Sequence, residues 1–389
     1  MGTFYETITL EFTKGKVFYM DDLLSSSALI LNSLSDGVYV CDCERVIVFW
    51  SKSAEQISGW KVDDVIGRRC LEDILCHEDK DGHKLCGEEH CPLHRSIITG
   101  EKTEVPLIIF GQGKDGHRIP MQVTAAPIRN SEGEIIGGVE TFRDMSLILL
   151  DLEKAKRIQE WSLKNKLPDD PRIKISTFYM PYDIVGGDYY AIDSLDEDRY
   201  GFLLADMQGH GVAAGLYTIH LSNLWNKHHE LLKNPADFTT VVNNELGQVV
   251  DNEGSFATAI CGLIDAKTGM LRLVGSGGPP PFKINAKGDF EQLYVSGVVL
   301  GIMEDVQYEE RIAQLDPGDS LLLVSDGAFE IHNSENELLD TDGLNNLLKK
   351  LNYPQTPLNM EALEQELLKF SNEIRLQDDV TIIEIKFLG

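Results

Sequence analysis

The chain has 389 residues, of which 42% are hydrophobic and 25% charged, and its formal net charge at pH 7 is −28. This composition is that of a folded protein, and the length predicts two domains. The acidic balance disfavours nucleic acid and anionic membranes as partners, because both require a basic face. No apolar run approaches the roughly 20 residues that span a bilayer, and no signal peptide opens the chain, so a cytoplasmic protein is expected.

The first part of the chain predicts an α+β domain. Residues 1–22 alternate weakly and are assigned to an N-terminal extension. Beyond them, turn residues separate short helical and strand patterns. A helix is predicted up to about Leu34, strands at 37–41, 46–50, 104–110, 118–128 and 134–142, and a helical patch at 53–58. We therefore predict a five-stranded antiparallel sheet with small helices over residues 23–146.

Four phrases in this segment carry a resemblance to a known family. They are SDGVYVCD, SAEQISGW, VIGRRC and TAAPIRNSEGEIIGGVETFRD. Together with the order of the predicted elements, they resemble a PAS sensor domain. The resemblance implies that residues 23–146 receive a signal.

The same segment concentrates cysteine and histidine. Six of the seven cysteines lie before residue 100, and the stretch CLEDILCHEDKDGHKLCGEEHCPLH holds four of them and four histidines. Its spacings match neither common zinc motifs nor the haem-attachment motif CxxCH. In a cytosolic chain such a cluster still indicates metal or redox chemistry rather than disulfides, with structural thiols as the alternative. The predicted cofactor site, for a metal, an iron–sulfur cluster or haem, consists of Cys70, Cys76, His77, Cys86 and Cys91.

A single helix is predicted to connect the two domains. Residues 147–167 contain helix formers, no Gly and no Pro, and Pro168 ends the run. Residues 147–170 are therefore assigned to a connecting signalling helix. Its apolar stripe is too irregular to establish a coiled coil. A homodimer formed through the sensor domain and this helix is nevertheless expected.

Acidic residues follow apolar strands at four places in the second domain, residues 171–389. One such acid is a turn residue by default, but four in one domain indicate a shared site. Carboxylates that meet at strand ends repel one another unless divalent cations neutralise them. Oxygen ligands without nearby cysteine favour Mg²⁺ or Mn²⁺ over Zn²⁺. The four places are IVGGD at 184–188, LLAD at 203–206, LLLVSDG at 321–327 and LQDDVT at 376–381.

An ordered set of motifs makes the second domain similar to a known enzyme family. The motifs are GGDYY, LLADMQGHGVAAGL, FATA, SGGPPPF, VVLGI, PGDSLLLVSDGAFE and QDDVT. In this order they resemble the PPM-type metal-dependent serine/threonine phosphatases, in particular the SpoIIE/RsbU-like branch. The resemblance implies a β-sandwich flanked by helices, with two Mn²⁺ or Mg²⁺ ions at one end. Ala191 departs from the family pattern, which usually has an acid there, and this puts a third, outer metal in doubt.

The resemblance also implies roles for individual residues. Asp188 would bridge the two ions, and Asp326 and Asp378 would hold the second ion. The remaining implied ligands are Asp206, the carbonyl group of Met207, and Asp379. Asp188, Asp206, Asp326 and Asp378 are the implied catalytic set. The ions would activate a water molecule, so no covalent phosphoenzyme is needed.

The leading hypothesis is a sensor-regulated phosphoprotein phosphatase, a hydrolase that acts on phosphoserine. In the resembling family, the partner is typically a phosphorylated anti-sigma-factor antagonist. Two alternatives remain open. In the first, the phosphatase fold serves only as a catalytically silent interaction module; in the second, the phosphatase is constitutive beside a separate redox or metal sensor.

Overall fold

The computed structural model describes residues 27–72, 74–87, 90–104, 108–163, 167–209, 211–250, 255–372 and 376–389. The predicted extension at 1–22 lies outside these residues. The chain divides into two compact units between Leu149 and Leu150. The boundaries of the four segments given above remain predictions.

The first unit contains one antiparallel sheet, with strands of different lengths, and short helices. Its helices are α1 (Ser27–Ser33), α2 (Lys52–Ser58), α3 (Val62–Val65) and α4 (Pro92–Thr99). Its strands are β1 (Gly37–Asp42), β2 (Ile47–Trp50), β3 (Thr103–Glu104), β4 (Ile109–Gln112), β5 (Arg118–Arg129) and β6 (Ile135–Asp144). The strand order is β2-β1-β6-β5-β3, and β4 also pairs with β5.

The outermost position of this sheet differs from the prediction of one strand at 104–110. Two segments, β3 and β4, pair with different parts of the long strand β5. The sheet therefore has five positions made from six segments.

The connecting helix α5 spans Ser146–Ser162. Leu147 and Trp161 are among its exposed apolar side chains. No helix among the described residues is long and apolar enough to cross a membrane.

The second unit consists of two five-stranded antiparallel sheets with helices on their outer faces. Its strands are β7 (Ile173–Met180), β8 (Asp188–Ser194), β9 (Arg199–Met207), β10 (Ala257–Asp265), β11 (Met270–Ser276), β12 (Phe282–Ile284), β13 (Phe290–Gln292), β14 (Arg311–Gln314), β15 (Ser320–Val324) and β16 (Val380–Phe387). Its helices are α6 (Val212–His228), α7 (Pro235–Gly247), α8 (Asp340–Lys350) and α9 (Met360–Ser371). The sheet orders are β14-β11-β10-β9-β8 and β13-β12-β15-β16-β7.

The apolar side chains of the second unit fill three layers. Phe202 and Leu204 of one sheet lie in one cluster with Leu321 and Ile383 of the other, which makes the sandwich core. A second cluster joins α6 and α7 to the first sheet, and a third joins α8 and α9 to the second sheet. Strands β9, β15 and β16 are buried along nearly their whole length, because one face of each sheet packs in the sandwich core and the other packs against helices. This arrangement is the predicted α+β sandwich flanked by helices, and the fold-class prediction is confirmed for both domains.

Candidate functional site

Five acidic residues lie where the two sheets of the sandwich approach each other. Asp188 begins β8 and is the cross-strand partner of Asp206 on β9. Asp326 directly follows Ser325 after β15, and Asp378 and Asp379 directly precede β16. A hydrogen bond of 2.6 Å from the Thr381 hydroxyl to Asp188 Oδ2 joins the two sheets at this point. The fold thus brings the predicted acids of all four sequence segments to one region.

Asp188 is the most buried member, with an exposed fraction of 0%. Its Oδ2 atom accepts the Thr381 bond, whereas its Oδ1 atom has no hydrogen-bond partner among the described residues. Burial, followed by repulsion from Asp206 and Asp379, raises the pKa of Asp188 well above its usual range. A buried carboxylate oxygen without a donor needs a proton, a cation or an ordered water molecule.

Two neighbouring carboxyl groups, those of Asp206 and Asp326, also have raised pKa values. Burial is the main cause that raises the pKa of Asp206 to about 8, and repulsion from Asp326 and Asp378 adds to it. Burial also raises the pKa of Asp326 to about 6, with Asp378 and Glu330 contributing. Mutual repulsion of this kind is relieved when a divalent cation binds between the carboxylates. The donors are all oxygen atoms, so the residues present fit Mg²⁺ or Mn²⁺.

Asp379 makes contacts that the sequence did not predict. Its Oδ1 accepts the Tyr182 amide proton at 2.6 Å, and its Oδ2 accepts that of Gly187. The carboxylate therefore holds the loop that leads into Asp188. A role for Asp379 as a metal ligand remains a prediction, and the structure adds a bracing role.

Close backbone packing explains two of the glycines in the motifs. A Cβ atom on Gly327 would lie 2.1 Å from the carbonyl oxygen of Asp379, which is a severe clash. A Cβ atom on Gly187 would lie 3.1 Å from the carbonyl oxygen of Met207, the predicted backbone ligand. Both glycines let backbone segments of the site approach each other. Gly209 and Gly211 adopt positive φ angles of 87° and 86°, as expected for turn glycines, and His210 between them lies outside the described residues.

Two hydroxyl residues near Asp188 had no predicted role. Thr381 is fully buried and donates to Asp188 Oδ2, while its own amide donates to Ser325 Oγ at 2.8 Å. Ser325 Oγ in turn donates to the Asp379 carbonyl at 3.3 Å. Both residues lie inside motifs that were recognised, but only the packed sheets show which atom each one contacts.

The predicted sensor residues do not form one cluster of ligands. Cys70, Cys91 and His77 are buried, and Cys86 is half-buried with its Sγ accepting the His77 amide proton at 3.1 Å. Cys76 instead lines a surface cleft with Glu78 and Arg118. The described residues include all seven cysteines, and none of them forms a disulfide.

One compact group of three donor atoms is found elsewhere in the sensor domain. Over the described ranges, only Asp79, Asp81 and His83 bring such atoms within 4.8 Å of one another. The Asp79 carboxylate accepts hydrogen bonds from the Asp81 amide and from the amide and ring of His83, which accounts for the turn. Among the described residues, neither the predicted sensor site nor the predicted phosphatase site brings three donor atoms this close together. A Mg²⁺ site does not need such close spacing, because Mg²⁺ keeps several of its waters when carboxylates bind it.

Two family models match separate parts of the chain. Residues 28–145 match the family model of the PAS fold, and residues 196–388 match that of stage II sporulation protein E (SpoIIE). Phosphoserine phosphatase RsbU of Bacillus subtilis (strain 168) is 23% identical over 308 residues, covering 78% of this chain and 88% of that protein. Phosphoserine phosphatase RsbP of the same organism is 26% identical over 183 residues, covering 46% of this chain and only 45% of RsbP.

A solved structure shares the fold of the second domain. The SiaA-PP2C domain of Pseudomonas aeruginosa has a TM-score of 0.53 and 20% sequence identity to this chain. The match covers 62% of this chain and 97% of that domain.

Proposed function

Since the chain joins a PAS domain to a SpoIIE-type PP2C phosphatase domain, we propose that it is a sensor-regulated phosphatase that hydrolyses phosphoserine on a partner protein. The observation that carries the proposal is the convergence of Asp188, Asp206, Asp326 and Asp378 from both sheets, with one buried Asp188 oxygen that lacks a hydrogen-bond donor. The names of two relatives, RsbU and RsbP, support phosphoserine as the residue attacked.

The carboxylates would hold two Mn²⁺ or Mg²⁺ ions, with the Met207 carbonyl as a further ligand. Bound ions would supply a nucleophilic water and neutralise charge on the phosphoryl group. The chain's own contribution is to position the ligands. Thr381 fixes the Asp188 carboxylate, and Asp379 fixes the loop before it. Such positioning of ligands normally has a large effect on metal affinity.

A phosphorylated anti-sigma-factor antagonist is the proposed partner, on the basis of the family resemblance. A homodimer formed through the sensor domain and the connecting helix is also proposed. The exposed apolar side chains of Leu147, Leu150 and Trp161 on that helix support it. The cytoplasmic location remains a prediction from composition.

The test is hydrolysis of p-nitrophenyl phosphate and of a phosphoserine protein by the full chain with Mn²⁺. We expect Asp206→Ala and Asp326→Ala to lower turnover at least about 100-fold, the scale on which one electrostatic contribution to catalysis acts. Asp193→Ala is the matched control, because Asp193 is an exposed acid on the same strand as Asp188. Activity of the wild-type protein that is unaffected by chelation or by both site variants would refute the proposal. Wild-type protein that binds Mn²⁺ but hydrolyses neither substrate would favour the silent interaction module.

A further inference from the structure

The interior of the sensor domain contains two ionisable side chains that face each other without hydrogen bonds. Glu140 lies on β6 with an exposed fraction of 0%, and His77, which precedes α4 in the chain, has 2%. His77 Nε2 lies 3.6 Å from Glu140 Oε1. Among the described residues, neither the ring nitrogen nor either carboxylate oxygen makes a hydrogen bond of ordinary geometry, and the nearby Tyr39 hydroxyl makes only a weaker contact with the Glu140 carboxyl.

Such a pair is unusual because protein interiors satisfy nearly all buried polar atoms. Leaving a buried carboxyl and a buried imidazole without partners is costly in free energy. A bound cation would satisfy both groups at once. Two donors that bind Zn²⁺ at about 2.1 Å with tetrahedral geometry lie roughly 3.4 Å apart. The observed separation of 3.6 Å is close to that value.

Several thiol groups lie in the same interior as this pair. Tyr39 on β1 is the cross-strand neighbour of Glu140, and Cys41 lies two residues further on the same face of that strand. Cys41, Cys70 and Cys91 belong to one core cluster with Tyr39. The Cys86 thiol contacts the backbone amide of His77. The interior therefore offers nitrogen, oxygen and sulfur donors together.

We propose that the sensor domain binds a borderline-soft divalent cation of the Zn²⁺ class, anchored by His77 Nε2 and Glu140 and completed by thiolates of the surrounding cysteines. Nitrogen and sulfur donors select such a cation over Mg²⁺ or Ca²⁺. The proposal adds Glu140 to the residues predicted from the sequence and leaves out Cys76, which lines the surface cleft. It does not depend on the phosphatase activity.

The position of Glu140 gives the cation a route to influence the rest of the chain. Strand β6 ends at Asp144, and the connecting helix begins at Ser146. No described set of three donors that includes His77 and Glu140 lies within 4.8 Å. Binding therefore requires at least one thiol to move toward the anchoring pair, so occupancy changes the packing next to the strand that continues into the helix.

The experiment is a Co²⁺ titration of the metal-free full chain, followed by competition with Zn²⁺. Charge-transfer absorption from thiolate to Co²⁺ reports sulfur ligation, and the acids of the phosphatase domain cannot produce it. We expect one thiolate-ligated Co²⁺ per chain, displaced by Zn²⁺. Glu140→Gln and His77→Gln should each lower the Co²⁺ affinity at least about 10-fold, as loss of a metal contact does.

His83→Gln is the matched control, because it removes a histidine from the nearby Asp79 turn and should leave the signal unchanged. Wild-type protein without thiolate absorption would overturn the proposal, whether or not the variants fold. So would purified protein that carries haem or an iron–sulfur chromophore instead. A signal that persists in both anchoring variants, or that disappears in His83→Gln, would also overturn it.

Discussion

Gln159 on the connecting helix and Gly186 in the loop before Asp188 are joined by two hydrogen bonds. Gln159 Nε2 donates to the Gly186 carbonyl at 2.6 Å, and the Gly186 amide donates back to Gln159 Oε1 at 3.2 Å. The same Nε2 also donates to the Thr218 hydroxyl of α6 at 2.7 Å. Gln159 is buried, and one side chain thus connects the helix to the loop before Asp188 and to the helix that follows the Asp206 strand.

Replacing this side chain should impair the phosphatase site from a distance. We expect Gln159→Ala to lower turnover and Mn²⁺ affinity about 10-fold, because it leaves buried backbone groups of the Gly186 loop without partners. Glu160→Ala is the control, since Glu160 is exposed on the same helix. Metal titrations of both variants provide the measurement. Equal Mn²⁺ affinity in wild-type and Gln159→Ala protein would show that the Gln159 hydrogen bonds do not influence the metal ligands.

Removing the Thr381 hydroxyl should weaken metal binding without changing the side-chain shape. Thr381→Val leaves Asp188 Oδ2 without its donor, and we expect a 10- to 100-fold loss of Mn²⁺ affinity, roughly the range for residues that orient metal ligands. Thr381→Ser should retain most of the affinity because it keeps the hydroxyl. Isothermal titration with Mn²⁺ measures both variants. If serine and valine behave alike, the hydroxyl does not orient Asp188.

Metal binding should depend on pH in a defined direction. The pKa of Asp326 is raised to about 6 and that of Asp206 to about 8, with burial as the main cause in both. A cation needs the deprotonated carboxylates, so Mn²⁺ affinity should increase as pH rises from about 6 to about 8, with release of protons. Titrations in buffers of different ionisation enthalpy count those protons. Affinity that is constant across this range would contradict the prediction.

The same shift predicts how the metal-free protein responds to pH. Because the folded-state pKa of Asp206 lies above its unfolded value, the native state binds the proton more tightly, and stability falls as pH rises from the unfolded pKa through the folded one. Asp206→Asn should therefore gain thermal stability relative to wild type between pH 5 and pH 9, by roughly a few degrees in Tm. Asp193→Asn, at an exposed position, should show no such trend. If the difference in Tm between Asp206→Asn and wild type does not depend on pH, the raised pKa of Asp206 is not its cause.

A methyl group at Gly327 should disrupt the site through the backbone. Its Cβ atom would lie 2.1 Å from the Asp379 carbonyl oxygen, so the segment that carries Asp326 or the one that carries Asp379 must shift. We expect Gly327→Ala to lower activity at least about 100-fold, since a displacement of about 1 Å has effects of this size. Gly87→Ala is the control, because a Cβ atom there meets nothing within 4 Å. Wild-type turnover in Gly327→Ala would contradict the expected clash.

The sequence by itself predicted two domains and the acids of the proposed phosphatase site. Strand periodicity and turn residues located most of the elements. Acids placed directly after apolar strands drew attention to four places, and the family resemblance selected Asp188, Asp206, Asp326 and Asp378 as the proposed catalytic set. Local sequence carries this information because side-chain alternation and turn chemistry act between near neighbours. The recognised motifs carried the resemblance to two families, and the family models match residues 28–145 and 196–388.

Only the tertiary structure decided which atoms meet across the fold. The bond between Thr381 and Asp188 joins residues 193 positions apart, and that between Gln159 and Gly186 joins a helix to a loop. In the sensor domain, Glu140 has no role in the sequence-based predictions, and the sheet turns it into the interior opposite His77. Contacts of this kind depend on how sheets and helices pack, and no periodic pattern in the chain encodes the partner of a single buried polar atom.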